Sequence, residues 1–451
     1  MEVTLIQMLD ARERRVQRQQ ALTAQFGLPL LCFSMNIAGP VKNSDLIRRG
    51  FRLGRRLLEQ QLGIAGAEIL HFEEEDAVTG CECIYVLDCD PLRIKSAAVT
   101  VEDHTAAGRL YDMDVIRPDG AKVERSELGL GERRCLICGQ IARGCARSRT
   151  HSVAELQEAT TSLLRSALRE ADSSYIAELA CRALLYEVGA TPKPGLVDRQ
   201  NSGSHADMDF FTFQRSAAAL WPYFARCAEI GMDMANAAPE NVLQALRAPG
   251  LLAEGEMRRA TFGVNTHKGA IFSLGIVCAA LGRLEPTLWH QPEWVLYECS
   301  LLCAGLVSKD YVNLTPETAR TAGQKLYLAH GITGVRGQAE AGFPTALKVG
   351  LPKLEEGLAR GLSLNDAGCA ALLAMMAAAV DTNLISRSNY ETQQRIALDT
   401  ALLLTQDPLP GKETLEQMDR EFIEQNLSPG GTADLLALTY LLHFLKEEPH
   451  V

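Results

Sequence analysis

Asp112 and Asp114 stand two residues apart in Gly108-Arg109-Leu110-Tyr111-Asp112-Met113-Asp114-Val115. In a strand, alternate side chains share a face, so both carboxylates would point the same way. Such a pair can hold Mg²⁺ against a triphosphate, and the metal then neutralises charge developing on a departing pyrophosphate. Gly108 leaves room for a phosphate to approach the backbone. The spacing alone also fits a solvated strand end.

A second group follows in RRCLICGQIARGCARSRTHS (133–152), which carries Arg133, Arg134, Arg143, Arg147 and Arg149. Planar guanidinium forks suit phosphate and pyrophosphate; a solvated basic face is the competing reading. The same stretch holds Cys135, Cys138, Cys145 and His151. These four could form a Cys₃His zinc site, but the compact spacing matches no familiar zinc ribbon, and such thiols are more often core or incidental.

Further along, Ser204-His205-Ala206-Asp207-Met208-Asp209 packs two carboxylates and an imidazole together. Asp207 and Asp209 could take Mg²⁺, and His205 could ligate it or contact phosphate. Lys193, between two prolines, and Lys268 supply cations. Asn265, Thr266 and His267 precede a helix expected from about Lys268, and helix N-termini attract phosphate. Ser428-Pro429-Gly430-Gly431-Thr432 leads into another helix, a second expected cradle. Arg336 and Glu340 lie in a further glycine-rich loop. Five polar motifs (190–210, 263–271, 331–344, 381–387 and 426–437) thus interrupt helical sequence, which points to a polyanionic ligand and a metal. Neither a Walker loop nor a Rossmann fingerprint is present.

These groups must be carried by two kinds of scaffold. Residues 1–165 mix strand patterns (28–37, 81–90, 96–105, 109–116) with helical ones (about 5–26 and 43–62), which makes an α/β or α+β domain. From Ser152, where Ser152 and Glu155 form a capping-box pattern, the sequence turns helical and rich in Ala and Leu. An all-α domain is expected over 170–451, with the boundary at 160–172. No internal repeat is visible.

Charge follows the same division. The chain of 451 residues has a net charge of −11. Residues 1–170 hold 23 Lys+Arg, 20 of them Arg, against 24 Asp+Glu; the rest holds 22 against 32. The overall balance argues against nucleic-acid or anionic-membrane binding. Apolar runs such as 270–281 and 370–380 fall short of the ~18 residues a spanning helix needs. The charged start, MEVTLIQMLDARERR, lacks the apolar core of an export signal, and the 13 scattered Cys are expected to be reduced thiols of a cytoplasmic enzyme.

Three N-terminal segments, MNIAGPVKNSDLIRRGF (35–51), GRLYDMDVI (108–116) and RRCLICGQIARGCARSRTHSVAEL (133–156), resemble the citrate lyase holo-acyl-carrier-protein synthase family. ATPKPGLVDRQNSGSHADMDFFTF, GVNTHKGAIFSLG, GVRGQAEAGFP, DTNLISR and NLSPGGTADLLALT resemble the triphosphoribosyl-dephospho-CoA synthase family. The likeness covers nearly the whole chain, in the order of the fused bifunctional protein. It implies that the C-terminal half joins the triphosphoribosyl group of ATP to the 2′-hydroxyl of 3′-dephospho-CoA and releases adenine. Glu340, Asp207 or Asp209 would accept the hydroxyl proton. Mg²⁺, at Asp207 and Asp209, would hold the triphosphate with Lys193, Lys268, His267 and Arg336, and His205, Asn265, Gly430 and Gly431 would add phosphate contacts. The N-terminal half would pass the product to a Ser of the apo acyl carrier (gamma) subunit and release pyrophosphate. Mg²⁺ on Asp112 and Asp114, with Arg109, Arg143, Arg147 and Arg149, would serve that step. One departure stands out: where the family is expected to read GVRGEAE, this chain has Gln338, which leaves Glu340 as the retained carboxylate. The related malonate decarboxylase cofactor pathway and a non-catalytic carrier-binding module are the alternatives.

Overall fold

The computed structural model describes residues 2–447. The chain divides into two compact units, the first ending at Ala171 and the second starting at Asp172.

The first unit is an antiparallel sheet with helices on both faces. Its elements are α1 (Leu5–Phe26), β1 (Leu30–Met35), α2 (Asp45–Ile64), β2 (Glu68–Ala77), β3 (Gly80–Asp88), α3 (Pro91–His104) and β4 (Tyr111–Ile116). The strand order is β2-β3-β1-β4. Central β1 is apolar on both faces because both are covered. Leu31 and Phe33 pack with Phe51 and Leu58 of α2, Ile94 and Ala98 of α3, and Tyr111, Met113 and Val115 of β4. Leu30 and Cys32 face the other way, with Leu22 of α1, Ile84, Val86 and Ile116. Each such side chain contributes roughly 1.5–3 kcal/mol on burial, which fixes the strand register.

One expectation is corrected here, and one strand lies where the sequence was not read. Residues 96–105, with their Val and Thr, read as strand, yet 96–104 belong to helix α3 and Thr105 caps its end. Asp90 caps that helix by accepting from the N–H groups of Leu92 and Arg93 (2.9 and 3.2 Å), and Pro91 opens it. Ile94, Ala97, Ala98 and Val101 are all buried, and their 3.6-residue spacing outweighs the β-branched content. Conversely, β2 was hidden by its acidic run. It is an edge strand whose Glu73 and Glu75 accept from Arg18 of α1 at 3.0 and 2.8 Å, so ion pairs hold an acidic stretch as a strand.

Beyond β4 come α4 (Ala142–Ser148) and the long α5 (Val153–Gly189). The Ser152–Glu155 box forms as expected, with Ser152 N–H donating to Glu155 at 2.8 Å and Glu155 N–H to Ser152 Oγ at 3.2 Å. Within α5, Leu164, Ala167 and Leu168 belong to the core of the first unit. Ile176, Ala180, Ala183 and Leu184 belong to that of the second.

The second unit is helical. After α5 it contains α6 (Phe210–Asp233), α7 (Pro239–Ala260), α8 (Lys268–Arg283), α9 (Pro292–Leu302), α10 (Leu306–Tyr311), α11 (Ala322–His330), α12 (Gly334–Glu340), α13 (Leu351–Ala359), α14 (Leu364–Ala378), α15 (Thr382–Arg387), α16 (Tyr390–Gln406), α17 (Lys412–Glu424) and α18 (Gly430–Glu447). Helices α8, α14 and α18 are apolar on nearly every face and form the centre of the core. An all-round apolar helix must be buried. Consequently, the polar motifs that begin α8 and α18 are held rigidly at their N-terminal ends. No helix among the described residues is long and apolar enough to cross a membrane.

Candidate functional site

All five polar motifs of the helical unit line one cavity of about 390 Å³. His205 comes from the first, Asn265 to Lys268 from the second, Gly334 and Gln338 from the third, Asp381 to Asn383 and Arg387 from the fourth, and Ser428 and Gly430 to Asp434 from the fifth. Segments more than 200 residues apart in sequence therefore share one wall. The N-termini of α8 and α18 both open onto it, and the first N–H groups of a helix lack intrahelical partners. That is a setting for anionic oxygen.

Three of the motifs are tied together by a side-chain relay. Arg387 donates to the Ser204 carbonyl (2.8 Å), to Asn426 Oδ1 (3.1 Å) and to Nδ1 of His205 (3.0 Å). With Nδ1 accepting, Nε2 carries the ring proton and donates to Ser428 Oγ at 3.0 Å. Burial, then the neighbouring guanidinium, lower the pKa of His205, so it stands as a neutral imidazole.

His267 is also neutral, for a related reason. Thr266 donates to Ser216 Oγ (2.8 Å), which leaves the Ser216 hydroxyl to donate to His267 Nδ1 (2.7 Å). The proton then lies on Nε2, which is buried without a protein partner. Burial first, and the charge of Lys193 second, push the imidazole down to about 3. The cavity wall thus holds an N–H donor with unspent capacity.

Three carboxylates border the cavity: Glu187, Asp381 and Asp434. Asp381 is fully engaged, accepting from the N–H groups of Asn383, Leu384 and Thr432 and from the Thr432 hydroxyl. Glu187 is ion-paired with buried Lys193, whose Nζ also donates to the Glu187 carbonyl at 2.6 Å. Asp434 has no such cation. Burial, then the charges of Glu187 and Asp381, raise its pKa well above the ordinary carboxylate range, against one stabilising N–H from Ala270. Gly269 makes this approach feasible, since a Cβ there would come within 1.8 Å of Asp434 Oδ2.

The predicted site residues separate into two groups. His205, Asn265, His267, Lys268, Gly430 and Gly431 line the cavity. Lys193, Asp207, Asp209, Arg336 and Glu340 are not among its lining residues. Lys193 is buried against Glu187. Asp207 is exposed. Asp209 caps α6, accepting from Thr212 N–H and Oγ at 2.8 and 2.6 Å. Arg336 pairs with Asp310 (2.8 Å) and lies over the ring of Tyr311. Glu340 accepts from the N–H groups of Gly305 and Val307 (2.9 and 3.0 Å), holding the start of α10. Gln338, the departure from the expected acidic position, does line the cavity, and its amide donates to Thr345 Oγ at 2.9 Å. Sequence reasoning missed Arg387, Asp381 and Asp434 although each lies inside a motif it had marked; Glu187, deep in a helix, carried no signal.

In the first unit, Asp112 and Asp114 project from the same face of β4, opposite the buried Tyr111, Met113 and Val115. Register places them beside Ser34 and Cys32 of β1. Arg15, Gln19 and Glu82 complete a narrow cleft there. Lys122 pairs with Asp114 at 2.5 Å. Desolvation, then the like charge of Asp114, raise the pKa of Asp112. Arg133 fixes the approach to this strand by donating to the carbonyls of Tyr111 (2.7 Å) and Gly108 (2.9 Å). Arg109 lies beside that contact, with its Nε buried and unpaired. Arg143, Arg147 and Arg149 are exposed, on α4 and just beyond it, and are not among the residues lining the cleft.

Residues 3–167 match the family model described as apo-citrate lyase phosphoribosyl-dephospho-CoA transferase (CitX). Residues 173–450 match that of ATP:dephospho-CoA triphosphoribosyl transferase (CitG). A curated protein of Haemophilus influenzae, "Protein CitXG", is 36% identical over 97% of this chain and 95% of its own length. The chain belongs to the fused CitX–CitG family. It is therefore a transferase, with domains for both phosphoribosyl-dephospho-CoA transfer and triphosphoribosyl-dephospho-CoA synthesis. The namesake from Leuconostoc mesenteroides is 32% identical over 98% of this chain and 97% of its own length. A "probable 2-(5''-triphosphoribosyl)-3'-dephosphocoenzyme-A synthase" of Albidiferax ferrireducens is 44% identical over 60% of the chain and 91% of its own length.

Proposed function

We propose that the helical unit makes 2′-(5″-triphosphoribosyl)-3′-dephospho-CoA from ATP and 3′-dephospho-CoA, releasing adenine. The N-terminal unit then transfers this product to a Ser of the apo acyl carrier subunit of citrate lyase and releases pyrophosphate. The observation that carries the first step is the convergence of all five motifs on one cavity of about 390 Å³. That volume lies within the ~300–1,000 Å³ usual for small-molecule sites.

In that cavity the N-termini of α8 and α18, with Lys268 and Arg387, face the triphosphate. Because the phosphates are retained in the product, they need holding rather than breaking. His267 Nε2–H and the His205–Ser428 pair add neutral donors. Bond cleavage occurs at the ribose anomeric carbon, where adenine is a poor leaving group unless protonated. Asp434 has the environment for that proton: burial and the charges of Glu187 and Asp381 raise its pKa well above the ordinary carboxylate range, which favours the acid form. None of Glu340, Asp207 and Asp209, expected to accept the hydroxyl proton, lines the cavity; Asp434, left ionised once it has protonated adenine, would take up the proton of the attacking 2′-hydroxyl and return to the acid form.

The two units differ in how their donor groups fit Mg²⁺. Asp112 and Asp114 are hard oxygen donors on one face and fit the ion, which when bound would neutralise charge on the departing pyrophosphate. Asp112 is accessible to an incoming protein hydroxyl. Arg109, expected to serve the same charge, instead has Arg133, Asp103, Glu102 and Arg125 as its charged neighbours and is not among the residues lining the cleft. In the helical unit the donor set does not fit: Asp209 is a helix cap, while Glu187 and Asp381 are already engaged.

Incubation of the full chain with ATP and 3′-dephospho-CoA, followed by chromatography, tests the reading. Free adenine is expected without any carrier present. A chain that binds both nucleotides and releases none would be a binding module instead.

A further inference from the structure

We propose that Cys135, Cys138, Cys145 and His151 bind one structural zinc ion that closes the arginine-bearing segment following β4. Their ligand atoms all lie within 4.8 Å of one another. Cys138 Sγ is 3.4 Å from Cys145 Sγ and 3.2 Å from His151 Nε2. Zinc holds thiolates at ~2.3 Å and imidazole at ~2.0–2.1 Å, so tetrahedral ligands sit roughly 3.5–3.8 Å apart. Small adjustments bring the observed set to that spacing.

The backbone delivers the four side chains from two turns and the short helix between them. Gly139, at φ 71°, reverses the chain after Cys138, and the Cys135 N–H donates to the Gln140 carbonyl at 2.6 Å. Both thiols of the C-x₂-C pair are thereby turned to one side. Helix α4 then presents Cys145. Arg149, in the left-handed region at φ 49°, turns the chain again, and the Thr150 N–H returns to the Cys145 carbonyl at 3.2 Å. His151 follows directly.

A second, independent observation is how little core lies here: of this segment only Leu136, partly buried, packs against the core of the first unit. Among residues 124–151 none is buried, yet the segment holds a defined bridge between Arg134 and Ile141 and the seven-residue α4. Isolated helices shorter than ~12–15 residues are marginal in water. Segments too small to build a core generally need a disulfide or a metal. All thirteen cysteines are free thiols, so no disulfide supplies the cross-link.

Four protein ligands leave no open coordination position, which makes the site structural rather than catalytic. On binding, the three thiols lose their protons and the imidazole binds as the neutral ring. Three thiolates and Zn²⁺ leave one net negative charge. The fold gives this closure a use. Arg133, two residues before the first ligand, is anchored to the carbonyls of Gly108 and Tyr111. Arg143, Arg147 and Arg149 lie inside the loop that the metal would close, so the ion would hold their backbone in one conformation.

The test is the metal content of the full chain, purified under reducing conditions after growth with added zinc. About one zinc per chain is expected for the wild type and for Cys89→Ser, a thiol outside the cluster, and below about a tenth for Cys138→Ser and Cys145→Ser. Loss of metal by unfolding is separated by cobalt substitution of the wild-type chain, which should give thiolate-to-metal charge transfer and tetrahedral visible bands. Metal-free wild-type protein without cobalt bands overturns the proposal, as does a Cys138–Cys145 disulfide found by mass spectrometry in freshly prepared, unreduced chain.

Discussion

The two carboxylate sites differ in enclosure. Asp112 stands at a narrow cleft on the edge strand β4, accessible to solvent. Asp434 lies in the wall of a cavity built from five segments. In the proposed reactions this difference has a reason. A site that modifies a folded carrier must admit a protein surface, so its carboxylates sit on an open sheet edge. A site that joins two small molecules can close around them, and a buried acid can then keep its proton at neutral pH. Desolvation raises the pKa of both carboxylates, and the proposed reactions put them to different uses, one to hold a metal and one to hold a proton.

Separating the sites by mutation should give the largest effect. An Asp112→Ala/Asp114→Ala double variant should abolish carrier modification, read by mass shift of the carrier, while releasing adenine at the wild-type rate. Carrier modification at the wild-type rate would remove the role of the cleft. Asp434→Asn should lower adenine release by about 10²–10⁴-fold, the range for loss of a general acid. Supplying the triphosphoribosylated intermediate should restore carrier modification in that variant. Wild-type adenine release would end the acid assignment. Because the acid form is the active one, the wild-type rate should also fall as pH rises through the raised Asp434 pKa, and this limb should vanish in Asp434→Asn.

Lys193 sharpens the contrast between binding and structure. Removing one partner of a buried ion pair costs about 3–5 kcal/mol. Lys193→Ala should therefore lower the thermal midpoint strongly, whereas a surface phosphate ligand would change KM with stability intact. The effect of His267 on stability is smaller and depends on pH. Its folded pKa of about 3 lies below the ordinary 6.5. The unfolded chain thus binds the extra proton, and its contribution to stability is complete above pH 6.5 and is lost as pH falls toward 3. Asp434 acts in the opposite sense, so the slope must be compared between wild type and His267→Gln. The wild type should lose about 1.4 kcal/mol more per pH unit below 6.5, measured by denaturant unfolding. Asp207→Asn should have the smallest effect, leaving adenine release within about twofold, because an exposed carboxylate outside the cavity has little to stabilise.

These regions also differ in how much the sequence disclosed. The Asp-x-Asp strand was legible because a two-residue period is local: alternation puts both carboxylates on one face without knowledge of the fold. The five helical motifs were legible as motifs, since glycine and charge stand out against an Ala- and Leu-rich background. Which of their residues face the cavity was not, because that depends on helix packing. Asp209 and Asp434 look alike in sequence; one turned out to cap α6 and the other to face Gly269 across a helix contact. Glu340 was misleading in the same way, as its carboxylate serves two N–H groups of α10. The error in the first unit arose where β-branching masked periodicity, at α3, while the acidic run of β2 gave no strand signal to read.

Adenine release by the full-length chain bears most directly on the central claim that the helical cavity breaks the glycosidic bond of ATP. With ATP and 3′-dephospho-CoA, the wild type and the Asp112→Ala/Asp114→Ala variant should release adenine equally, and Asp434→Asn at least about 10²-fold more slowly. Loss of adenine release in the double variant, with Asp434→Asn retaining the wild-type rate, would contradict the account.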